Sequence, residues 1–305
     1  MTSSIAIAGR KIGPGAPVFV VAEIGINHNG DLALARELVT EAARAGADAV
    51  KFQKRSMAGI YGEELLKKET QKERGLQYLL AVLQRVELSE RNFAELQALT
   101  GKLGLIFFAT PWDGESVDLL QRLAVPAYKV ASPLLTDRFL LEKLAALGKP
   151  LILSTGMSRM PEIEEAVKYL KEAGVSFALL HCCGNYPAAP EDVELRFLEK
   201  LRKFGVPVGY SGHEEGTSIA LGAVALGACI IEKHLTLSCH MKGPDHLSSL
   251  EPADFGRMVR EIRTLERALG SGRKSLTRGE WLNRETLGKS LVVVKPVRTG
   301  ETIGR

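Results

Sequence analysis

Eight short apolar runs constrain this chain more than any other feature. They read VFVVAEIG, DAVKFQ, LIFFATP, AYKVAS, PLILSTG, FALLHC, PVGYSGH and CIIEKHLT, and each closes on polar residues or glycine. They recur at intervals of roughly 20 to 35 residues, a spacing that leaves room for a helix between strands. The segments between them, such as LALARELVTEAARAG and MPEIEEAVKYLKEAG, carry apolar residues at three- and four-residue spacing and stop at glycine. That is the pattern of an amphipathic helix with its end signal. Parallel strands need crossover helices, and eight strand–helix units close on themselves. The pattern therefore predicts an α/β fold, a (β/α)8 TIM barrel.

Three pieces fall outside the repeat. Residues 3–17 alternate around GRKIGPG and predict a small N-terminal hairpin that covers the barrel bottom. Residues 54–88 form a long charged insertion after the second strand, a candidate lid over the open end. SLVVVKPVRTGETIGR is strand-like with a turn at Thr299-Gly300, the expected start of a second, β-rich domain that this chain does not contain. The expected division is a hairpin over 1–17, a catalytic barrel over 18–287 and the second domain's start over 288–305.

The chain has 305 residues, enough for one domain of about 250 residues plus an appendage. Forty basic and thirty-six acidic residues leave a formal charge of +4 without long basic runs. This suits an anionic small ligand and gives no case for nucleic acid. MTSSIAIAGRKIG lacks a signal-peptide stretch and every apolar run is interrupted before membrane-spanning length, so no membrane partner and a cytoplasmic location are expected. Cys182, Cys183, Cys229 and Cys239 show no CxxC spacing and read as reduced thiols.

KFQKR, residues 51–55, raises the question of function. Lys51 and Gln53 share a parity opposite to Val50 and Phe52. Side chains alternate along a strand, and barrel active sites sit at the C-terminal strand ends. Lys51 is thus either a solvated strand end or a cation aimed into the barrel mouth. The other strands favour the mouth, because each carries polar residues near the same end: Glu23, Thr110, Lys129 with Ser132, Ser154, Ser211 with His213, and Glu232 with His234. A barrel interior is normally filled by bulky aliphatic residues, so inward polar groups in this number are costly unless they bind something.

Two chemical elements follow. Lys51, Lys129, Thr110, Ser132, Ser154 and Ser211 form a cationic, hydroxyl-rich wall suited to a phosphate and a carboxylate. His213 and His234 stand at the tips of neighbouring strands about 4.8 Å apart, within reach of one metal ion, the alternative being a pair of core histidines. Beside Glu23 they favour a divalent metal, with carboxylate, water and imidazole ligands fitting manganese better than a structural zinc.

The motifs AEIGINHNGDLALARELVTEAARAGADAVKFQ, YKVAS, LILSTGM, LLHCCGNYP, VGYSGH, IEKHLTL and GPDHLSSLEP occur in one order between Ala16 and Gly270. In these the chain resembles the sialic acid synthase family, which includes the N-acetylneuraminate, legionaminate and pseudaminate synthases and spore-coat polysaccharide relatives. The resemblance implies a barrel followed by an antifreeze-like (SAF) domain in a head-to-tail homodimer. KSLVVVKPVRTGETI looks like that domain's first strand. It also implies condensation of phosphoenolpyruvate with an open-chain N-acyl amino sugar such as N-acetylmannosamine, giving a nine-carbon 2-keto acid and phosphate. By resemblance, Lys51, Thr110, Lys129, Ser132, Ser154 and Ser211 hold phosphoenolpyruvate with Gln53 alongside. His213 and His234 carry Mn²⁺, Glu23 moves a proton or orients water, and Tyr186 and Asp245 contact the sugar.

Several residues keep two readings. His28 in NHNG reads as part of a turn and helix start, Asp245 in GPDH as sugar ligand or cap, and His246 as structural. Where the family commonly has GSGE after the fourth-strand lysine, this chain has ASPLLTD, so Leu134 replaces an expected acid and Asp137 is a substitute or a helix cap. Gly184 stands where Asn or Ser is usual. Both departures bear on the sugar pocket more than on phosphoenolpyruvate. Two other readings compete: a related synthase taking a phosphorylated sugar, for which Lys242 and the basic insertion are candidate contacts, and a non-catalytic sugar-binding barrel.

Overall fold

The computed structural model describes residues 4–61 and 76–304. Strands β1 (Ile5–Ile7) and β2 (Arg10–Ile12) pair antiparallel as the expected hairpin. Eight parallel strands then close a barrel: β3 (Phe19–Gly25), β4 (Ala49–Lys54), β5 (Ile106–Pro111), β6 (Tyr128–Val130), β7 (Leu151–Ser154), β8 (Phe177–Cys182), β9 (Val208–Gly212) and β10 (Ile230–His234). Each strand pairs with its sequence neighbours and β10 returns to β3, with His234 beside Glu23. The predicted TIM barrel is thus the observed fold.

Helices α1 (Leu32–Arg44), α2 (Met57–Ile60), α3 (Leu76–Val86), α4 (Glu90–Lys102), α5 (Gly114–Arg122), α6 (Arg138–Ala146), α7 (Met160–Glu172), α8 (Phe197–Arg202), α9 (Ser218–Ala225) and α10 (Pro252–Leu269) lie between and after the strands. α1 shows the local logic: the Asp31 carboxylate accepts the Ala33 N–H at 2.7 Å, and Ala35, Leu38, Val39 and Ala42 bury its inner stripe. The Asp137 carboxylate caps α6 in the same way, accepting the Leu140 N–H at 3.0 Å.

Strand alternation divides the core into two parts. Val20, Ala22, Ile24, Val50, Phe52, Val130 and Leu153 face outward and pack under the helices. Phe19, Val21, Ala49, Phe108, Ala127, Ile152, Ala178, Leu180 and Ile230 face inward, and Ile5, Ile7 and Ile12 of the hairpin complete this cluster. The hairpin therefore plugs the barrel bottom with aliphatic side chains. Gly209 belongs to the same packing. A Cβ there would meet Leu180 Cδ2 and Ile230 Cβ at 2.6 Å, so only glycine lets both enter the barrel. Asp48 ties the bottom together, accepting from the Val20 N–H at 2.8 Å and pairing with Arg10 at 2.6 Å and Arg263 at 2.8 Å.

Part of the expected lid, residues 62–75, lies outside the described residues. Ser132 stands in a 3₁₀ turn, Ser132–Leu134, just beyond β6 rather than on the strand. The chain divides into two compact units, Met1–Ala268 and Leu269–Arg305. In the second, helix α11 (Arg278–Leu287) is followed by residues without strand, although the turn foreseen at Thr299-Gly300 is present, with Arg298 and Glu301 bonded to each other. Val292–Val294 have strand propensity, but a strand exists only through a partner's hydrogen bonds, and among the described residues none pairs with them. No described helix is long and apolar enough to cross a membrane. All four cysteines are free thiols.

His28 has the structural role expected of it. Its Nδ1 accepts the Gly30 N–H at 3.1 Å, and its ring packs 5.9 Å from Phe52. Burial pushes its pKa down from 6.5 to about 4. The unfolded chain takes up this proton near pH 6.5 and the folded chain only near 4, so the stability it supports is complete above 6.5 and lost toward 4, amounting to about 3 kcal/mol. His28→Gln, which keeps a hydrogen-bond acceptor, is expected to flatten the acid side of the stability profile by about that amount in urea unfolding at pH 7 and 4.5. An unchanged pH slope would contradict a neutral buried imidazole.

Candidate active site

One step up each strand from the apolar inward layer, the side chains become polar. Val21 gives way to Glu23, Ala49 to Lys51, Phe108 to Thr110, Ala127 to Lys129, Ile152 to Ser154, Leu180 to Cys182, and Ile230 to Glu232. These groups and the strand tips above them line a cavity of about 370 Å³. The twelve residues expected to act on or bind substrate or metal all line this one cavity: Glu23, Lys51, Gln53, Thr110, Lys129, Ser132, Ser154, Tyr186, Ser211, His213, His234 and Asp245.

At its base lies a buried quartet of two lysines and two carboxylates. Lys51 Nζ is 2.8 Å from Glu23 Oε2 and 3.6 Å from Glu232 Oε1, and donates to Thr110 Oγ1 at 3.2 Å. Lys129 Nζ donates to Ser154 Oγ at 2.6 Å and stands 4.0 Å from Glu232 Oε1. Ser211 Oγ donates to Glu232 Oε1 at 3.1 Å, and Gln53 Nε2 donates to Glu23 Oε1 at 2.9 Å. Burial opposes the charge on Lys51, but Glu23 and Glu232 outweigh it and raise its pKa, whereas burial prevails at Lys129 and lowers it. Burial also raises Glu23 against the pull of Lys51, while Glu232 is held below the usual carboxylate range because Lys51 and Lys129 together overcome its desolvation. Of the two carboxylates, Glu23 is thus the one whose proton affinity burial raises.

Above the quartet, the His213 and His234 rings lie 5.4 Å apart. Burial lowers His213 to about 4, and burial followed by the charge of His213 holds His234 well below its ordinary value. Both imidazoles are thus neutral near pH 7. His213 Nδ1 donates to the Cys183 carbonyl at 2.7 Å, which leaves the Nε2 lone pair available. His234 Nδ1 is buried without a hydrogen-bond partner, 3.8 Å from Asp245 Oδ2. Burial, then Glu23, raises Asp245 to about 7. Asp245 precedes a 3₁₀ turn without capping it, so its alternative role as a cap falls away. Tyr186 stacks on His213 with centroids 3.9 Å apart.

These residues fit a divalent metal as a partial ligand set. Two neutral imidazoles with an unused buried nitrogen supply donors, yet among the described residues no three His, Cys, Asp or Glu side chains converge on one point. Water and substrate would have to complete the shell.

Sequence reasoning missed three parts of the site. Glu232 shares the parity of His234 and was legible as an inward acid, although no role was attached to it. Arg55 and Trp112 lie beyond the ends of their strands, where alternation gives no direction. Arg55 is buried and lines the cavity, with its guanidinium 4.2 Å over the Trp112 ring. Its Nη2 bonds Gln53 Oε1, while Nη1 has no hydrogen-bond partner and lies 3.8 Å from Glu87. His246 is structural as expected: its Nδ1 meets Thr236 Oγ1 at 2.7 Å and its Nε2 meets Asn29 at 3.3 Å. Leu134 is buried in the outer core and Lys242 is exposed; neither lines the cavity. At Gly184 a Cβ would sit 2.8 Å from Met157 Cε, so Met157 fills the space a larger residue would need.

The profile of the NeuB family matches residues 38–274. The N,N'-diacetyllegionaminic acid synthase of Campylobacter jejuni is 41% identical, over 92% of this chain and 86% of its own length. The N-acetylneuraminate-9-phosphate synthase of Mus musculus is 37% identical, over 97% of this chain and 83% of its own. The crystal structure of an N-acetylneuraminic acid synthetase from Leptospira borgpetersenii superposes with a TM-score of 0.85 at 35% identity, covering 94% of this chain and 96% of that one. A 3-deoxy-D-arabino-heptulosonate 7-phosphate synthase from Thermotoga maritima shares the fold, with a TM-score of 0.68 at 16% identity.

The quartet carries a stability prediction. Glu232→Gln leaves Lys129 buried without an anionic partner within ion-pair distance, and breaking a buried pair costs about 3–5 kcal/mol. Urea unfolding at pH 7 is expected to read a loss of that order. A loss below about 1 kcal/mol would mean that water, rather than Glu232, solvates the lysines.

Proposed function

The chain belongs to the NeuB family, and we propose that it is a condensing synthase joining phosphoenolpyruvate to the aldehyde of an open-chain N-acyl amino sugar. The products are a nonulosonic acid and phosphate. The observation that carries this reading is the pairing of two buried lysines, ringed by hydroxyls, with two neutral imidazoles in a single barrel-mouth cavity.

In this reading Lys51, Lys129, Thr110, Ser132, Ser154 and Ser211 bind the phosphate and carboxylate of phosphoenolpyruvate, the lysines neutralising charge while the hydroxyls donate. Gln53 fixes Glu23 by its 2.9 Å bond. His213 and His234 would hold Mn²⁺ or a similar divalent ion, which supplies Lewis acidity near the aldehyde oxygen when bound. The C2=C3 π pair of phosphoenolpyruvate forms the C–C bond to the aldehyde carbon as the carbonyl π pair moves onto the aldehyde oxygen, which takes up a proton, and positive character is left at C2. Water adds at C2 as Glu23 accepts one of its protons, and the tetrahedral intermediate collapses as the new C2 hydroxyl gives up its proton to the departing phosphate and the bond from C2 to the phosphate oxygen breaks. Tyr186 and Asp245 face the sugar. Barrel walls exclude bulk water, which strengthens each charged contact.

Arg55 favours a second reading, in which the sugar carries a phosphate. Its guanidinium reaches the cavity from just past the tip of β4, four residues beyond Lys51, with Nη1 lacking a hydrogen-bond partner. A hydrogen bond to a charged group contributes about 1.5–3 kcal/mol. If a phosphorylated sugar is the substrate, Arg55→Met should lower kcat/KM for it by about 10- to 100-fold while leaving an unphosphorylated sugar within about threefold.

Calorimetric titration of phosphoenolpyruvate, with Mn²⁺ and with chelator, tests the main reading. Binding in roughly the micromolar range, removed by Lys129→Ala, together with phosphate release on adding N-acetylmannosamine or its 6-phosphate, is the expected result. Binding without release would identify a non-catalytic barrel. No binding by the folded protein would sink the synthase reading.

A further inference from the structure

Behind the two histidines lies a second buried ion pair that the chemistry above does not use. Lys233 and Glu214 are 0% and 1% exposed and point away from the cavity, opposite in parity to His234 and His213. Lys233 Nζ donates to the Glu214 main-chain carbonyl at 2.5 Å and to its Oε1 at 3.1 Å. Tyr210, also fully buried, donates from its hydroxyl to Glu214 Oε2 at 2.6 Å. Every carboxylate oxygen of Glu214 thus has a partner. Gly212 makes the arrangement possible: a Cβ there would lie 2.6 Å from Glu214 Oε2 and from Tyr210 Cε1.

The connectivity gives the pair its meaning. Glu214 directly follows His213, Lys233 directly precedes His234, and Lys233 sits in register with Gly212 across the β9–β10 ladder. The ladder ends there, and no strand bond beyond it fixes His213 relative to His234. Lys233 reaching the Glu214 carbonyl replaces the missing rung. A buried ion pair is a poor source of stability, since apolar residues of similar volume serve as well or better. Its benefit lies in fixed geometry.

We propose that Glu214 and Lys233 form a positioning pair that sets the 5.4 Å spacing of the His213 and His234 rings. For its consequence in metal binding, the inference rests on reading those histidines as ligands. Orienting groups behind metal ligands typically change metal affinity by about 10- to 100-fold when removed.

The test compares the full chain with Lys233→Met and with the double variant Lys233→Met, Glu214→Leu. Mn²⁺ affinity is read by electron paramagnetic resonance, and the imidazole ring signals of His213 and His234 by NMR in metal-free protein. The double variant is expected to recover thermal stability relative to the single one. It should keep Mn²⁺ binding weakened by about 10- to 100-fold and shifted imidazole signals, with phosphoenolpyruvate affinity in chelator within about twofold of the parent. Should Lys233→Met fail to fold, the double variant carries the test alone. Parental Mn²⁺ affinity with unshifted imidazole signals would overturn the proposal and leave the pair a packing feature. If the parent chain itself binds no Mn²⁺, the ligand reading fails separately. The imidazole signals then decide the positioning proposal, shifted signals supporting it and unshifted ones overturning it.

Discussion

The buried quartet of Glu23, Lys51, Lys129 and Glu232 is the constraint on which the rest of this structure depends. Four ionisable side chains within one polar layer are sustainable only if each meets opposite charge or a hydrogen bond, and the 2.8 Å and 3.6 Å contacts of Lys51 show how closely they are fitted. The apolar layer beneath, sealed by Ile5, Ile7 and Ile12 of the hairpin, keeps water from reaching them through the barrel bottom. Thus the hairpin, which contributes nothing to the cavity lining, conditions its electrostatics. The same closure brings β10 beside β3, without which Glu232, His234 and Glu23 would not share a layer.

Alternation along a strand then separates two tasks. On β9 and β10 the inward positions Ser211, Glu232 and His234 face the cavity, and the outward positions Tyr210 and Lys233 hold those strands from behind. Sequence period two therefore does more than distinguish core from surface. In a barrel both faces are buried, so one face can carry chemistry while the other carries the support that aims it.

That alternation also explains what the sequence disclosed. Eight apolar runs with helical spacers were enough for the barrel, and parity was enough to aim Lys51, Thr110, Lys129, Ser154 and His234 inward. The outward ion pair stayed hidden because Lys233 lies between two residues with a better claim to attention, and a buried lysine on the helix-facing side has no periodic signature. Arg55 and Trp112 stayed hidden for another reason. Arg55 turns back toward the cavity because Glu87 takes its main-chain N–H at 3.2 Å and the Lys54 ammonium at 2.6 Å, a contact between segments far apart in sequence. The valines after Lys289 show the converse, since propensity alone does not make a strand when no neighbour supplies the ladder.

The two ends of the cavity consequently differ in kind. The lysine end is built from residues on strands, where backbone registers of the closed sheet fix Lys51, Lys129 and Ser154 with little freedom. The outer end, where the proposed reading seats the sugar, is lined by residues past the strand tips: Arg55, Trp112, Met157, Gly184, Tyr186 and Asp245. Barrels vary their chemistry through such loops while the strands stay constant. Here Gly184 and Met157 belong to different loops that share one volume, with the methionine side chain occupying the space that a Cβ at Gly184 would claim. The phosphoenolpyruvate contacts of the proposed reading therefore rest on strand positions. In that reading the choice of sugar depends on how several loops meet, and Arg55 is the side chain there whose charge would separate a phosphorylated sugar from a neutral one.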